Sequence, residues 1–265
     1  MSRKTNVPKV GQKLTNAPLV YSLCQVAFSD IVSMKNFVPQ IHEAIRDRYP
    51  LYQEQRLRTV TLDDSNAPQS ADQTRWLFTS KSQRTGFILN TNSLSLQTTE
   101  YNQFPHFAED MAYGLQAFST IETLPLITRI GLRYVDYIVP TEGKSLSDYV
   151  KTELQGAPLP DEMDTTGCQS LTSASTKYGT LLIRFTGGTL QSPFPMDLQP
   201  ISLRSPISAD PESVTGILDI DHAWFDEPFD FSSDEALASL KNLHDNGTRV
   251  AFRHSVTEEA LVEWQ

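Results

Sequence analysis

Two aspartates, Asp219 and Asp221, lie two residues apart within the apolar segment GILDIDHAWF. Because a β-strand directs alternate side chains to opposite faces, a strand here places both carboxylates on one face and His222 on the other. Paired carboxylates are what a divalent cation or a general acid–base reaction requires. A metal site needs a third ligand, for which Asp136 is the candidate. The competing interpretation is a carboxylate pair that faces solvent.

A second candidate cluster lies in the segment TRIGLRYVDYIVP, where two arginines flank a glycine. In a strand, Arg129, Gly131 and Arg133 share one face, and the glycine lets a ligand approach the backbone. Two guanidinium groups on such a face could hold an anionic ligand. Alternatively, the arginines pair with some of the 32 acidic residues of the chain. The predicted ligand-binding residues are therefore Arg129, Arg133, Asp219 and Asp221.

Four aromatic residues crowd an eight-residue stretch that precedes the last long helical pattern. They are Trp224, Phe225, Phe229 and Phe231. Such a cluster usually fills a core. Any of these rings that is exposed would form a partner-binding hot spot, because large rigid rings bury area at low entropic cost.

Other signatures of chemistry are missing from the sequence. The five histidines form no H-E-x-x-H motif, no serine lies in G-x-S-x-G, and Gly187-Gly188 lacks the partners of a phosphate loop. The two cysteines, Cys24 and Cys168, have no C-x-x-C spacing and are expected to be reduced thiols. We therefore predict no catalytic residue, no metal site and no cofactor.

Charge and hydropathy limit the classes of partner. The 265 residues include 22 basic and 32 acidic side chains, for a net charge of −10. This field repels nucleic acids and anionic membranes, so a nucleic-acid partner is disfavoured. The first 15 residues lack the apolar core of a signal peptide, and no apolar run is long enough to span a bilayer. The expected location is the cytoplasm.

The order of predicted elements suggests an internal duplication. Pro125-Leu126-Ile127 opens a strand as Pro18-Leu19-Val20 does 107 residues earlier. After a flexible arm (1–16), each half, 17–123 and 124–265, is predicted to run strand, helix, about four strands, helix. This is the order of the helix-grip or TATA-binding-protein-like α+β fold, in which a curved antiparallel sheet wraps a helix. Tandem ferredoxin-like units are the alternative, although they need fewer strands.

In this arrangement the two half-sheets join edge to edge, with the first strand of each half at or near the seam. In the second half, an S-x-x-D capping box at Ser145 predicts a helix. Strands are expected at 170–177, 180–186, 201–205 and 215–223, and the Pro-rich region 192–211 is expected to contain an exposed loop. A long helix covers 237–251 and reaches about His254.

Three segments, NAPLVYSLCQVAF, TRIGLRYVDYIVP and FRHSVTEEALVEW, resemble a patchily distributed family of bacterial proteins. The resemblance covers nearly the whole chain. Its patchy distribution implies genes carried on mobile or antiviral defence islands. It brings no activity, ligand or site residue to this chain.

These observations favour a non-enzymatic intracellular protein that acts through a protein partner. A second hypothesis is a small-ligand-binding protein, since helix-grip sheets can enclose a cavity. That cavity would be lined by Leu115, Phe118 or the helix at 237–251. A third hypothesis is a metal-dependent enzyme that uses Asp219 and Asp221. A fourth is an acidic nucleic-acid mimic or immunity-type protein.

Overall fold

The structure is a computed structural model that describes residues 7–9, 11–62, 68–160, 162–163, 165–205 and 207–265. Within these residues the chain is α+β: ten strands form one antiparallel sheet, accompanied by five α-helices. The predicted class, with a large antiparallel sheet and few helices, is confirmed. No helix of the described residues is both long and apolar enough to cross a membrane.

The strands and helices are named here in chain order. The strands are β1 (Leu19–Phe28), β2 (Leu51–Leu62), β3 (Pro68–Thr79), β4 (Thr85–Asn90), β5 (Ser93–Thr98), β6 (Leu126–Ile138), β7 (Gly167–Thr176), β8 (Gly179–Thr189), β9 (Val214–Trp224) and β10 (Phe229–Asp230). The α-helices are α1 (Met34–Ile45), α2 (Phe104–Phe118), α3 (Ser233–Leu243), α4 (Arg249–Ser255) and α5 (Glu258–Glu263).

The centre of the sheet is the antiparallel pair β1–β6, which we call the seam. The strand order is β2-β3-β4-β5-β1-β6-β9-β8-β7, and β10 also pairs with β6. The seam register runs from Ser22 opposite Tyr134 to Ala27 opposite Arg129. The strands that open residues 17–123 and 124–265 are therefore neighbours, as the sequence predicts.

Side-chain alternation gives the seam two different faces. On the helix face, Val26 and Leu132 pack with Met111 of α2 and Leu240 of α3. On the opposite face, which we call the loop face, a second core lies under the segment 190–213 that joins β8 to β9. Its buried members are Val20, Tyr21, Val135, Tyr137, Phe194, Leu203 and Ile217. Each central strand is covered on both sides, as its nearly continuous apolar sequence requires.

The segment after β6 differs from the predicted helix. The capping box of Ser145 and Asp148 is present, but only 3₁₀ turns follow, at Leu146–Asp148 and Thr152–Leu154. Val150 instead forms an antiparallel bridge with Val256, and the Lys151 N–H donates to the Ser255 carbonyl. This tertiary pairing uses backbone groups that a helix would need for its own hydrogen bonds.

The segment 190–213 forms no strand at 201–205, where the sequence predicts one. Its described residues cross the loop face with a 3₁₀ turn at Met196–Leu198. Met196 is exposed, as expected for a loop, whereas Phe194 and Leu203 are buried against the sheet. Prolines at 193, 195 and 200 lack the N–H that a strand ladder needs, which disfavours a strand here. The second half therefore has fewer full strands than predicted.

The expected long C-terminal helix is interrupted by a π-helical segment, His244–Thr248, between α3 and α4. At this point Gly247 packs against His222 of β9, and a Cβ on Gly247 would lie 1.8 Å from His222 Nδ1. The His222 ring is fixed by contacts of 3.1 Å from Nδ1 to the Leu243 carbonyl and 2.8 Å from Nε2 to Thr176 Oγ1. The helix can approach the sheet this closely only because residue 247 has no side chain.

The described part of the predicted N-terminal arm lies against these C-terminal helices. The Arg253 guanidinium donates to the carbonyls of Pro8, at 2.6 Å, and Lys9, at 2.7 Å. The Asn16 N–H donates to the Trp264 carbonyl at 2.9 Å. Residues 1–6 and 10 of the arm lie outside the described residues.

We expect Gly247→Ala to lower the free energy of unfolding by about 3 kcal/mol, because the new methyl group collides with the His222 ring. In a His222→Ala background the same change should cost much less. Asn246→Ala, at the neighbouring exposed position, is the control. Urea denaturation of these variants checks this, and an equal cost of Gly247→Ala in both backgrounds would contradict the contact.

Candidate functional site

Two of the four candidates on the loop face, Arg133 and Asp219, form an ion-pair network with Asp197 and Arg184. Arg133 donates from Nε and Nη2 to the two carboxylate oxygens of Asp219, both at 2.8 Å. It also donates from Nη1 and Nη2 to Asp197, at 2.6 and 3.0 Å. Arg184 adds a third bond to Asp219 at 3.0 Å. Two cations and two anions are thus matched, and Asp219 is only 2% exposed.

This network anchors the segment 190–213, because Asp197 lies in its 3₁₀ turn. Although burial alone lowers the pKa of Arg133, hydrogen bonds to Asp197 and Asp219 raise that pKa above its usual value. The same hydrogen bonds hold the pKa of Asp197 below its usual value. Charges satisfied this completely have little capacity left for an external ligand.

The remaining two candidates of that face are less tightly bound. Arg129 donates to Gln25 Oε1 at 2.9 Å, and its guanidinium lies 5.0 Å from the centre of the Phe225 ring. Asp221 is opposite Arg133 in the β6–β9 register. Burial raises the pKa of Asp221, and the charge of Arg129 opposes this effect.

The structure places no third ligand beside Asp219 and Asp221 among the described residues. Asp219 and Asp221 share the loop face, as predicted, but Asp136 lies on the helix face because its strand position has the opposite parity. Asp136 is paired with Leu218 rather than with either aspartate. Among the described residues, no group of three or more His, Cys, Asp or Glu side chains could hold a metal ion. The assignment of Asp136 as the third ligand is therefore wrong.

The four clustered aromatic residues separate into two environments. Trp224, Phe229 and Phe231 pack against the core of the helix face. Phe225 is 61% exposed and contacts Arg129. Three of the four rings predicted to bind a partner therefore pack against the hydrophobic core, and one lies on the surface.

A cavity of about 580 Å³ lies between the helix face of the seam and the C-terminal helices. Its floor includes Tyr134 and Asp136 of β6 and Ile220 of β9. The π-helical segment and α4 form another wall. Residues 11–15 of the arm and residues 101–105 at the start of α2 add to the lining.

Asp136 is the unusual residue of this cavity. It is only 3% exposed, lines the cavity, and accepts no hydrogen bond from the described residues. Burial, with a smaller effect of the Asp219 carboxylate across the sheet, raises the pKa of Asp136 to about 8. A buried carboxyl without donors is costly to the fold, so its presence here calls for a functional explanation.

Beside Asp136, a chain of polar aromatic side chains lines the cavity. The Tyr101 and Tyr134 hydroxyls are 3.2 Å apart, and the Tyr134 hydroxyl is 3.2 Å from His244 Nδ1. The Phe104 ring stacks on His244 at 4.2 Å with an interplanar angle of 4°. Burial lowers the pKa of His244 to about 4, so the imidazole is neutral at physiological pH.

The lining away from Asp136 is basic. Among the described residues it contains four cationic side chains and one acidic one. They are Lys13, Lys241, Arg249, Arg253 and Asp245. Asp245 pairs with both Lys241 and Arg249, and the buried Nε of Arg249 has no hydrogen-bond partner among the described residues. An acidic protein thus presents a locally positive cavity, a feature that concentrates anions.

Sequence reasoning identifies part of this cavity. The predicted helix wall at 237–251 contributes Lys241, His244 and Arg249. Leu115 and Phe118, also expected to line a pocket, are instead fully buried in the core. The sequence indicates Asp136 only as a metal ligand. The sequence does contain a signal for a buried Asp136. The even positions of β6 from 130 to 138 are otherwise apolar or aromatic, so an acidic residue at 136 is out of place in that pattern.

If Arg133 has a structural role, replacing it should damage the fold. We expect Arg133→Met to lower the free energy of unfolding by about 3–5 kcal/mol, because Asp219 stays buried with an incomplete set of partners. Arg129→Met, on the same face, should cost only about 1 kcal/mol, since Arg129 hydrogen-bonds a neutral amide. Urea denaturation measures both, and equal losses within about 0.5 kcal/mol would refute the anchoring role.

The raised pKa of Asp136 predicts a dependence of stability on pH. Between about pH 4 and 8 the folded state keeps a proton that the unfolded state releases, so this carboxyl makes the fold less stable as pH rises. Asp136→Asn removes the effect. The free energy of unfolding of the variant should exceed that of the wild type by on the order of 3 kcal/mol at pH 8.5 and by little at pH 4.5.

Chemical denaturation at the two pH values checks this prediction, with Asp30→Asn, at an exposed position, as the control. A variant that gains no stability at the higher pH would show that the carboxyl is not desolvated in the folded protein.

Comparisons with protein-family models, with curated proteins and with solved structures found no match to this chain. No relative therefore supplies an activity or a ligand. The geometry of the cavity is the basis on which a function can be proposed.

Proposed function

We propose that this protein is a binding protein whose ligand is a small anionic molecule held in the cavity between the seam and the C-terminal helices. One observation carries the proposal: the Asp136 carboxyl is buried in the cavity and has no donor among the described residues. A fold gains nothing in stability from such a group. A ligand that donates hydrogen bonds to it explains why the group is there.

The size and lining of the cavity support this role. A volume of about 580 Å³ falls within the range of about 300–1,000 Å³ that is usual for small-molecule sites. Aromatic rings line part of it, and the π-helical segment at His244–Thr248 forms part of the wall. π-helical turns inside longer helices occur frequently at functional sites.

The charge pattern supports an anionic ligand. Lys13, Lys241, Arg249 and Arg253 give the lining a positive excess, in a chain with a net charge of −10. Long-range attraction between the whole protein and an anion is therefore weak or repulsive. Selectivity for the cavity comes from these nearby cations, which act at short range.

We also propose that the two halves, 17–123 and 124–265, are pseudo-repeats of a helix-grip or TATA-binding-protein-like unit. The strand order supports this: each half runs from a seam strand to an edge strand and returns to the seam, as β1-β2-β3-β4-β5 and β6-β7-β8-β9. A long helical region follows the last of these strands in both halves. In this scaffold the proposed cavity lies between the shared sheet and the second helical region.

A protein partner is the second candidate. The edge strand β2 favours it, because β2 pairs only with β3 among the described strands and exposes Leu51, Tyr52 and Leu57. An exposed apolar edge can accept a further strand from another chain. A partner that binds there would leave the cavity free, so the two functions are compatible.

The test of the small-ligand function is native mass spectrometry of the full chain, purified gently at low salt. We expect an additional mass of a few hundred daltons in the wild type that is lost on denaturation. Lys241→Gln should reduce the fraction of protein that carries the ligand at least about fivefold, because it removes one cation from the cavity lining. Lys35→Gln, which neutralises an exposed lysine of α1 away from the cavity, is the matched control.

A protein that carries no additional mass, and whose thermal unfolding does not shift with any anionic metabolite tested, would overturn the proposed function. Equal loss of occupancy in Lys241→Gln and Lys35→Gln would place the ligand outside this cavity.

A further inference from the structure

The cavity is lined by two chemically different sets of groups. The sheet contributes the acceptor, Asp136 of β6. The helices contribute the cations, Lys241 of α3 and Arg249 of α4. Because the acceptor and the cations belong to different walls, a ligand that satisfies both carries a donor group and an anionic group at separate positions.

The sides of the cavity suit a flat ring. Tyr101, Phe104, Tyr134, His244 and Phe252 all line it. Planar aromatic and imidazole surfaces pack well against nucleobases, whatever the base. An amino acid also joins a donor group to an anion, but it is small compared with about 580 Å³ and would contact few of these rings.

The hydrogen-bonding capacity of the acceptor then selects the base. A carboxylate accepts two parallel N–H donors side by side, as it does from a guanidinium group. Guanine presents such a pair on one edge, at N1–H and the exocyclic N2 amino group. Adenine, by contrast, presents an acceptor nitrogen at the equivalent position, next to its amino group. A carboxylate at the end of a ring-lined cavity therefore favours guanine.

We propose that the ligand of this cavity is a guanine nucleotide, with the base on Asp136 and the phosphate at Lys241 and Arg249. This inference rests on the proposed small-ligand function and specifies its ligand. Arg249 is suited to the phosphate because it lines the cavity and its guanidinium carries several N–H donors. Its Nη1 pairs with Asp245 at 3.2 Å, which holds the side chain in place.

Ionisation of Asp136 adds a distinctive property. The carboxyl is largely protonated at pH 7 in the empty cavity, whereas two N–H donors bind the ionised form. Binding therefore releases a proton, and affinity for guanine rises with pH up to about 8. The titratable and charged groups that face Asp136 or line the same cavity are Tyr101, Tyr134, His244, Asp219, Lys13, Lys241, Asp245, Arg249 and Arg253.

Of these groups, His244 does not titrate in the relevant range, because its pKa is about 4. The pKa of Tyr101 is raised to about 12 by burial, and that of Tyr134 is also raised by burial. Among the groups of the protein, Asp136 is thus the source of a proton released between pH 6.5 and 8, whereas the phosphate of the nucleotide, with a second pKa of about 6, contributes mainly at the lower end of this range.

The test is isothermal titration calorimetry of the 265-residue chain with GMP, IMP, AMP and XMP at low salt. We expect wild-type protein to bind GMP at least about tenfold more tightly than IMP, which lacks the N2 amino group, and than AMP. Affinity for GMP should rise about tenfold from pH 6.5 to pH 8, since the ionised fraction of a carboxyl with a pKa of about 8 rises by about this factor over that range.

Asp136→Asn should exchange the preference from guanine to xanthine. The Asn amide N–H donates to the xanthine O2, and the amide oxygen accepts from N1–H. The variant thus loses the carboxylate that accepts from guanine and gains an amide that is complementary to xanthine. The pH dependence should disappear in the same variant. Asp245→Asn, which changes a carboxylate near the cations instead, should keep the preference for guanine. A gain of XMP binding shows that the variant is folded.

The outcomes separate the two proposals. Equal affinity for GMP and AMP, or unchanged base preference in Asp136→Asn, would overturn the guanine assignment. If no nucleotide binds while a different anion co-purifies and is lost in Lys241→Gln, the guanine assignment fails and the small-ligand function stands. If no small molecule binds in either experiment, both fail.

Discussion

The antiparallel pairing of β1 with β6 is the constraint on which the rest of this structure depends. It joins strands β2 to β5 on one side to strands β7 to β9 on the other and fixes which residues of β6 face each side. Because side chains alternate along a strand, the same segment sends Arg133 to the loop face and Asp136 to the helix face. A shift of one residue in this register would exchange the two charged groups and bury each on the wrong side.

The two faces treat buried charge in opposite ways. On the loop face, Arg133 and Arg184 are matched with Asp219 and Asp197 through hydrogen bonds between opposite charges. This balance anchors the segment 190–213 to the sheet. On the helix face, Asp136 has no such partner among the described residues, so burial disfavours its ionised form and raises its pKa. Uncompensated groups of this kind are common at binding sites, where a ligand completes the set.

The C-terminal helical region depends on a backbone detail. Gly247 allows close approach to His222, and the π-helical segment around it redirects the chain between α3 and α4. His244, Thr248 and Arg249 line the cavity from this stretch. Packing against the sheet and the shape of the proposed site thus come from the same short stretch of helix. The sheet supplies a scaffold, and the specific side chains placed on it define the proposed ligand.

The sequence alone determined the fold class, the positions of most strands, and the two-sided pattern of β6 and β9, because alternation of apolar and polar residues reports directly on strand faces. It did not determine the second half in full. The helix after Ser145 is replaced by turns, since Val150 pairs with Val256, and the segment 190–213 packs on the sheet without forming a strand. The partners of Arg133 and the isolation of Asp136 were decided only in three dimensions. Both depend on contacts between residues far apart in the chain, about which local pattern and composition carry no information.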